Sequence, residues 1–223
     1  MRFAVLGSGS QGNGTLVSTG DTHVLVDCGF SLRETERRLA RLGITADSLS
    51  AVLVTHEHAD HVHGVGLLAR RYNVPVYLSR GTLRGLRKPL EATAFIAAND
   101  SFDVGDLSIR AVGVTHDALE PLQYVFSDGR RRLGVLTDLG CYDSTLLEHY
   151  RGLDALMIEA NHCRDLLARG HYPMFLKQRV GGDYGHLNNH QAANLVAELG
   201  WEQLQHLVPV SYTHLRAHET PEH

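Results

Sequence analysis

Lysine is almost missing from this chain. Of its 21 basic residues only Lys88 and Lys177 are lysine, and the arginine excess reads as GC-rich coding rather than as chemistry. Cysteine is scarce as well. Cys28, Cys141 and Cys163 are odd in number and widely spaced, which excludes a disulfide framework and fits a reducing cytoplasm. No apolar run approaches the roughly 18 residues that a membrane-spanning helix needs. Met1–Leu6 carry a charge and a short apolar stretch, but Gly7-Ser8-Gly9-Ser10 end it before a signal-peptide core can form. A net charge of −4 excludes a broad basic surface, so nucleic-acid contact would have to rest on local patches. Linkers, low-complexity stretches and internal repeats are absent too. A length of 223 residues then points to one domain with a large core.

Histidine, by contrast, is abundant: 15 residues, six of whose neighbourhoods matter below. The densest cluster is His56-Glu57-His58-Ala59-Asp60-His61, directly after the apolar run Ala51–Thr55. Alternate residues of an extended segment share a face, so His56 and His58 can meet one metal ion. Asp60 and His61 fall on the first turn of a following helix and can meet a second. Imidazole and carboxylate donors suit Zn²⁺, Mn²⁺ or Fe²⁺ better than Ca²⁺ or Mg²⁺ alone. A histidine-rich solvated loop is the plainer reading, and the strand-then-helix setting argues against it.

Periodicity and turn residues give the organisation. Strands are expected at residues 3–6, 15–18, 23–27, 51–55, 74–78, 108–114, 122–127, 132–137 and 155–159, with a last one starting at 204–208. Helices are expected at 31–42, 60–72, 80–86, 144–150, 173–180 and 188–199. The first of these has Ser31 as N-cap with Glu34 three residues on and Gly43 behind it. Strands and covering helices in both halves imply an α/β chain with two sheets packed together and helices outside.

The His56–His61 run in this setting resembles the metallo-β-lactamase-fold hydrolases, an αββα sandwich of two packed mixed sheets flanked by helices. Five further segments are similar to the YycJ/WalJ-like subgroup of that superfamily, DNA exonucleases of 5′-to-3′ polarity: Phe3–Asn13, Gly113–Ala118, Leu136–Gly140, Glu159–His162 and Gly185–Asn189. The resemblance implies two divalent ions, Zn²⁺ or Mn²⁺. His56, His58 and His116 would hold the first, Asp60 and His61 the second, and Asp138 would bridge them. It also implies a further histidine ligand after the last strand. At that point the chain instead resembles translated sequencing-library adapter DNA, from Val210 to His223. Residues 1–209 are therefore expected to be the domain and 210–223 a non-native tail, leaving the second ion site incomplete.

The expected reaction is hydrolysis of DNA phosphodiesters by a metal-bound hydroxide. Asp60 and His186 are the catalytic candidates, Asp60 as a ligand and His186 as the acid for the leaving oxygen. Asp27 is expected to orient a ligand histidine by hydrogen bonding, with capping of the next turn as its plainer role. His162 would touch substrate phosphate or merely anchor its loop. Ser10 and Asn13, in the glycine-rich loop Gly7–Gly14, could cradle a phosphate on backbone N–H groups or form an ordinary turn. No Gly-Lys-Ser/Thr follows, which rules out a lysine-bearing phosphate loop. Lys177 and Arg179 are the preferred backbone-phosphate contacts, from the resemblance. Arg33, Arg37, Arg38 and Arg41 share their helix with Glu34 and Glu36 and read as a solvated face. Two rivals remain at this point. A small-molecule hydrolase acting on a thioester, lactam or cyclic phosphodiester fits the slight acid excess, and a regulatory protein could keep the fold without catalysis.

Overall fold

The structure, a computed structural model, describes residues 1–88, 90 and 94–211. Two compact units are present: Met1–Gly113 with Ala118–Arg132, and Val114–Asp117 with the chain from Leu133 onward.

In the first unit β1 (Arg2–Gly7), β2 (Gly14–Thr19) and β3 (Thr22–Val26) pair antiparallel. From β3 the sheet continues in parallel through β4 (Ala51–Leu53), β5 (Val76–Leu78) and β6 (Ala94–Phe95). Leu16, Leu25, Val52, Val76 and Leu78 of these strands share a buried cluster with Leu39 of α1 (Leu32–Ala40) and Leu68 of α3 (Val65–Tyr72). Each such side chain contributes roughly 1.5–3 kcal/mol by leaving water. The same unit carries α4 (Arg80–Gly85) and an antiparallel meander, β7 (Ser101–Val104), β8 (Leu107–Gly113) and β9 (Leu122–Ser127).

The second unit is built on parallel strands β10 (Arg132–Leu136), β11 (Ala155–Glu159) and β12 (His206–Val210). Every residue of β11 is buried, as expected of an apolar run between parallel neighbours, and the strand closes on the carboxylate of Glu159. Around them lie α5 (Ser144–Tyr150), α6 (Arg164–Arg169), α7 (Met174–Gly181) and α8 (Asn189–Leu199). A reciprocal cap between Asn188 and Gln191 starts α8. Among the described residues no helix is long and apolar enough to cross a membrane.

Three expectations need correction. The single helix expected at residues 60–72 is two, α2 (Ala59–Val62) and α3, parted at Gly64. The carbonyl of Asp60, which a continuous helix would offer to the Gly64 N–H, instead accepts from the Asn13 N–H at 2.7 Å. Gly64 donates to the carbonyl of Cys28 at 2.8 Å, and a Cβ there would lie 2.2 Å from the Phe30 carbonyl oxygen. The helix is thus broken to lock the ligand loop against the β3–α1 connection. Four elements lack a sequence expectation altogether: β6, β7, α6 and a 3-10 turn at Ala46–Ser48, all six residues or shorter. The last strand also runs two residues beyond the expected register. Val210, assigned to the tail, is buried and pairs with Glu159, and the Ser211 hydroxyl donates to the Thr137 carbonyl at 2.9 Å. The rest of the expected tail, 212–223, lies outside the described residues.

Candidate metal centre

In the first unit the parallel strands β3 and β4 end side by side and deliver Asp27 and Thr55 to one place. Asp27 takes a left-handed backbone conformation (φ 59°), uncommon for a residue with a side chain and best tolerated by Asp or Asn. That turn aims its buried carboxylate back at the strand ends. It accepts from the Thr55 N–H (2.8 Å), the Thr55 hydroxyl (2.8 Å) and His61 Nδ1 (2.7 Å).

These bonds fix the imidazoles. His61 gives its Nδ1 proton to Asp27, so its lone pair sits on Nε2. The Thr55 hydroxyl spends its own proton on Asp27 and accepts from His56 Nδ1 at 2.9 Å, which puts the His56 lone pair on Nε2 as well. His56 Nε2 then faces His58 Nδ1 at 2.9 Å. A proton on His58 Nδ1 can be donated to that lone pair, and a bound cation can take the proton's place. Asn13 braces the other side, with its side-chain amide 3.2 Å from Asp60 Oδ2 and 2.9 Å from His61 Nε2. Gly29 lies under this brace, and a Cβ there would lie 1.6 Å from the Asp60 carbonyl oxygen.

The second unit presents its own set. His116 is buried and holds the Gly185 carbonyl through Nδ1 at 2.9 Å, again directing the lone pair to Nε2. Asp138 follows β10 and is 6% exposed. One donor atom each of His116, Asp138 and His186 lie within 4.8 Å of one another. His186 is held by Glu159, at 2.7 Å from Nδ1 to Oε1, and lies 3.4 Å from Asp138 Oδ1. Glu159 is fully buried at the end of β11 and also accepts from the N–H groups of Leu139 (3.1 Å) and Leu187 (3.2 Å). One carboxylate therefore ties together the loops that carry Asp138 and His186. Gly140 permits the tight fit: a Cβ would stand 2.1 Å from the Asp183 carbonyl oxygen. His56, His61, His116 and His186 are each bonded through Nδ1, with Asp60 and Asp138 beside them, the donor chemistry of a divalent transition-metal site.

The remaining candidates fall as follows. Ser10 is exposed and lines a cleft of about 680 Å³ with Ser8, Gln11, Phe30, Arg38 and Asp60. Asn13, expected to meet substrate, is buried and turned inward onto Asp60 and His61, because its amide is consumed as a brace. His162 is also buried. Burial, with His186 and Arg164 nearby, pushes its imidazole down to about 4, so it is neutral at pH 7. Its carbonyl accepts from the Asn189 N–H at 3.0 Å, which favours the loop-anchoring role over a phosphate contact. Lys177 Nζ donates to the Ala168 carbonyl at 2.7 Å, and Arg179 pairs with Asp117 at 2.7 Å, both on the surface. Arg38 departs from the solvated face expected of α1: it pairs with Glu34, donates to the Leu6 carbonyl and stacks 4.0 Å above the Phe30 ring. Cys28, Cys141 and Cys163 are free thiols, and burial pushes that of Cys28 up to about 11. Sequence reasoning missed Thr55 and Glu159. Glu159 opens one of the segments that carry the family resemblance but has no role assigned there, and Thr55 is read only as the end of a strand.

Asp27→Asn keeps the shape and tolerates the left-handed backbone, but it turns one acceptor into a donor facing Thr55 or His61. Affinity for Zn²⁺ is expected to fall about 10- to 100-fold, the usual cost of losing a partner that orients a ligand. Competition against a chromophoric chelator would measure it, and an unchanged affinity would remove Asp27 from the site.

The β-lactamase superfamily domain matches residues 22–210 of the chain. The chain is 34% identical over 212 residues to the exodeoxyribonuclease YycJ of Bacillus anthracis, covering 93% of this chain and 80% of that protein. It is 35% identical over 211 residues to the exodeoxyribonuclease WalJ of Streptococcus pneumoniae, covering 89% and 77%. Among solved structures, the metallo-β-lactamase fold protein YhfI of Bacillus subtilis superposes with a TM-score of 0.75 at 19% identity, over 97% of this chain and 88% of that one. The fold is the expected one, two mixed sheets flanked by helices. The chain belongs to the metallo-β-lactamase superfamily and, within it, to the family of the YycJ and WalJ exodeoxyribonucleases.

Proposed function

We propose that the chain is a metal-dependent phosphodiesterase that degrades DNA, with two divalent ions and 5′-to-3′ polarity. The observation that supports the chemistry is the pinning of His56, His61 and His116 through Nδ1, which puts each lone pair on Nε2, with that of His61 facing the Asn13 amide. The substrate class comes from the names of the two relatives.

In this reading His56, His58, Asp60, His61, His116 and Asp138 are the residues that would hold the ions. When bound, such ions supply Lewis-acid activation of water and offset the charge that builds on the phosphate. The rest is the work of the chain. Asp27 and Thr55 keep two imidazoles in the ligating tautomer. Glu159 holds the Nδ1 proton of His186, so that the imidazole can hand a proton from Nε2 to the leaving oxygen. Ser10, Lys177 and Arg179 receive neighbouring phosphates. His186 could alternatively complete a ligand set with His116 and Asp138, since donor atoms of the three lie within 4.8 Å of one another.

The test is release from 5′-labelled and 3′-labelled duplex DNA in Mn²⁺, with metal content measured on the same preparation. Early loss of the 5′ label as mononucleotide is the expected result. Intact DNA beside a metal-loaded protein would sink the reading and favour a small-molecule hydrolase.

A further inference from the structure

From His61 to Leu90 the chain carries Arg70, Arg71, Arg80, Arg84, Arg87 and Lys88 and not one acidic residue. It is the longest acid-free stretch of a chain whose net charge is −4. Other basic clusters are neutralised locally: Arg37 and Arg38 pair with Glu34, and Arg179 with Asp117. Within the run, Arg71 faces Glu36 at 3.8 Å and Arg80 lies 4.3 Å over the Phe95 ring. The other four, Arg70, Arg84, Arg87 and Lys88, are exposed, and no carboxylate among the described residues forms an ion pair with them. Glu91, which ends the run in the sequence, lies outside the described residues.

The first unit places these four along one path. Gly81 and Gly85 stand one turn apart on α4 and set its backbone against two carboxylates. The Gly81 N–H donates to Glu120 Oε2 at 2.6 Å, and a Cβ on Gly85 would lie 2.6 Å from Glu57 Cγ. Glu57 in turn accepts from the Leu119 N–H at 2.8 Å, so both acids are engaged by backbone donors. Since Glu57 sits between His56 and His58, the path begins against the ligand segment itself. Its far end meets α3: a Cβ on Gly66 would lie 3.6 Å from Leu90 Cδ1 and 3.7 Å from Arg70 Nη1. The chain from Gly85 to Leu90 reaches at most about 18 Å, or about five nucleotide steps at ~3.4 Å each. Arg84, Arg87, Lys88 and Arg70 therefore span about half a turn of duplex, leading away from the ligand segment.

We propose that Arg84, Arg87, Lys88 and Arg70 form a track for the sugar-phosphate backbone of DNA, which grips the polymer beside the ligand segment without reading its sequence. Phosphates repeat one charge per nucleotide whatever the base, and exposed guanidinium and ammonium groups meet them by charge and release of counterions. An acidic protein can hold a polyanion in this way because the positive charge is gathered on one run. The track rests on the DNA reading above and adds where the DNA is held.

The test is the salt dependence of binding, read by fluorescence anisotropy of a labelled phosphorothioate duplex with Mn²⁺-loaded protein over a range of KCl concentrations. Each neutralised phosphate adds about −0.9 to the slope of log affinity against log salt. Combining Arg84→Gln, Arg87→Gln and Lys88→Gln is therefore expected to make the slope shallower by about 2.7. Affinity should fall about tenfold or more, by the same factor for AT-rich and GC-rich duplexes. Arg33→Gln, Arg41→Gln and Arg130→Gln change the net charge equally and should leave the slope at its wild-type value. Arg84→Lys with Arg87→Lys should also keep it, because charge alone is read. All six side chains are exposed, so every variant should melt at the wild-type temperature. An unchanged slope in the first variant overturns the proposal, as does an equal loss in the charge-matched control or a loss confined to one sequence. Cleavage of a 5′-labelled phosphodiester duplex on the same preparation separates the two claims. The expected slopes without cleavage defeat the nuclease reading alone, and cleavage with an unchanged slope defeats the track alone. A wild-type chain that does not bind the duplex defeats both.

Discussion

Asp138→Ala is expected to abolish metal-dependent DNA cleavage, lowering kcat by at least about 10³-fold. Removing one preorganised electrostatic group from an active site typically costs 10²–10³, and here the loss of an ion would compound it. Among His116, Asp138 and His186, Asp138 is the one carboxylate whose oxygen takes part in the donor group. Imidazoles bring lone pairs but no charge, so without Asp138 a dication would be held there by neutral donors alone. The side chain is nearly buried, and water cannot easily replace it. Metal content should therefore fall together with kcat, and elemental analysis of the dialysed variant beside the rate on 5′-labelled DNA reads both. Full metal content at an undiminished rate would take Asp138 out of the centre.

Glu159 should show the second large effect, through stability as well as rate. Its Oε1 accepts from His186 Nδ1 at 2.7 Å and from the Asn161 side chain at 3.3 Å, while Oε2 accepts from two backbone N–H groups. A carboxylate can take all four donors. Glutamine cannot, since its NH₂ must face one of those pairs and leaves buried donors unmatched at about 1–3 kcal/mol. Glu159→Gln is therefore expected to lower the unfolding free energy by that amount and kcat by about 10- to 100-fold. Glu159→Ala strips both loops of their acceptor and should cost about 3–5 kcal/mol. The positioning role is read from kcat measured well below the melting transition, with KM unchanged. A variant that is less stable but turns over at the wild-type rate would make Glu159 purely structural.

Much of the fold is legible in the sequence alone. The strands from residue 122 to 127 and 155 to 159 and the helix from 144 to 150 lie where periodicity put them, because each is bounded by turn residues and has a clear apolar face. Ser31 caps α1 through the Glu34 N–H, as its spacing with Glu34 required. The break at Gly64 was not legible. A pattern of apolar residues at helical spacing continues across it, and only the competing partners Asn13 and Cys28, distant in sequence, take its hydrogen bonds away. The inward turn of Asn13 escaped for the same reason.

The sequence by itself determined the kind of chemistry. Ligand type and local spacing are properties of adjacent residues, so His56, His58, Asp60 and His61 announce a metal site, and the ordered segments around them announce the family. The tertiary structure alone decided which atoms of those residues can serve. The tautomer of His61 is set by Asp27, 34 positions away, and His186 is held by Glu159, 27 positions away. Bonds between strand ends brought side by side by a sheet leave no periodic trace in the chain. The exposed face of α7 is of the same kind: its apolar residues look like core in a sequence, and only the packing left them in water.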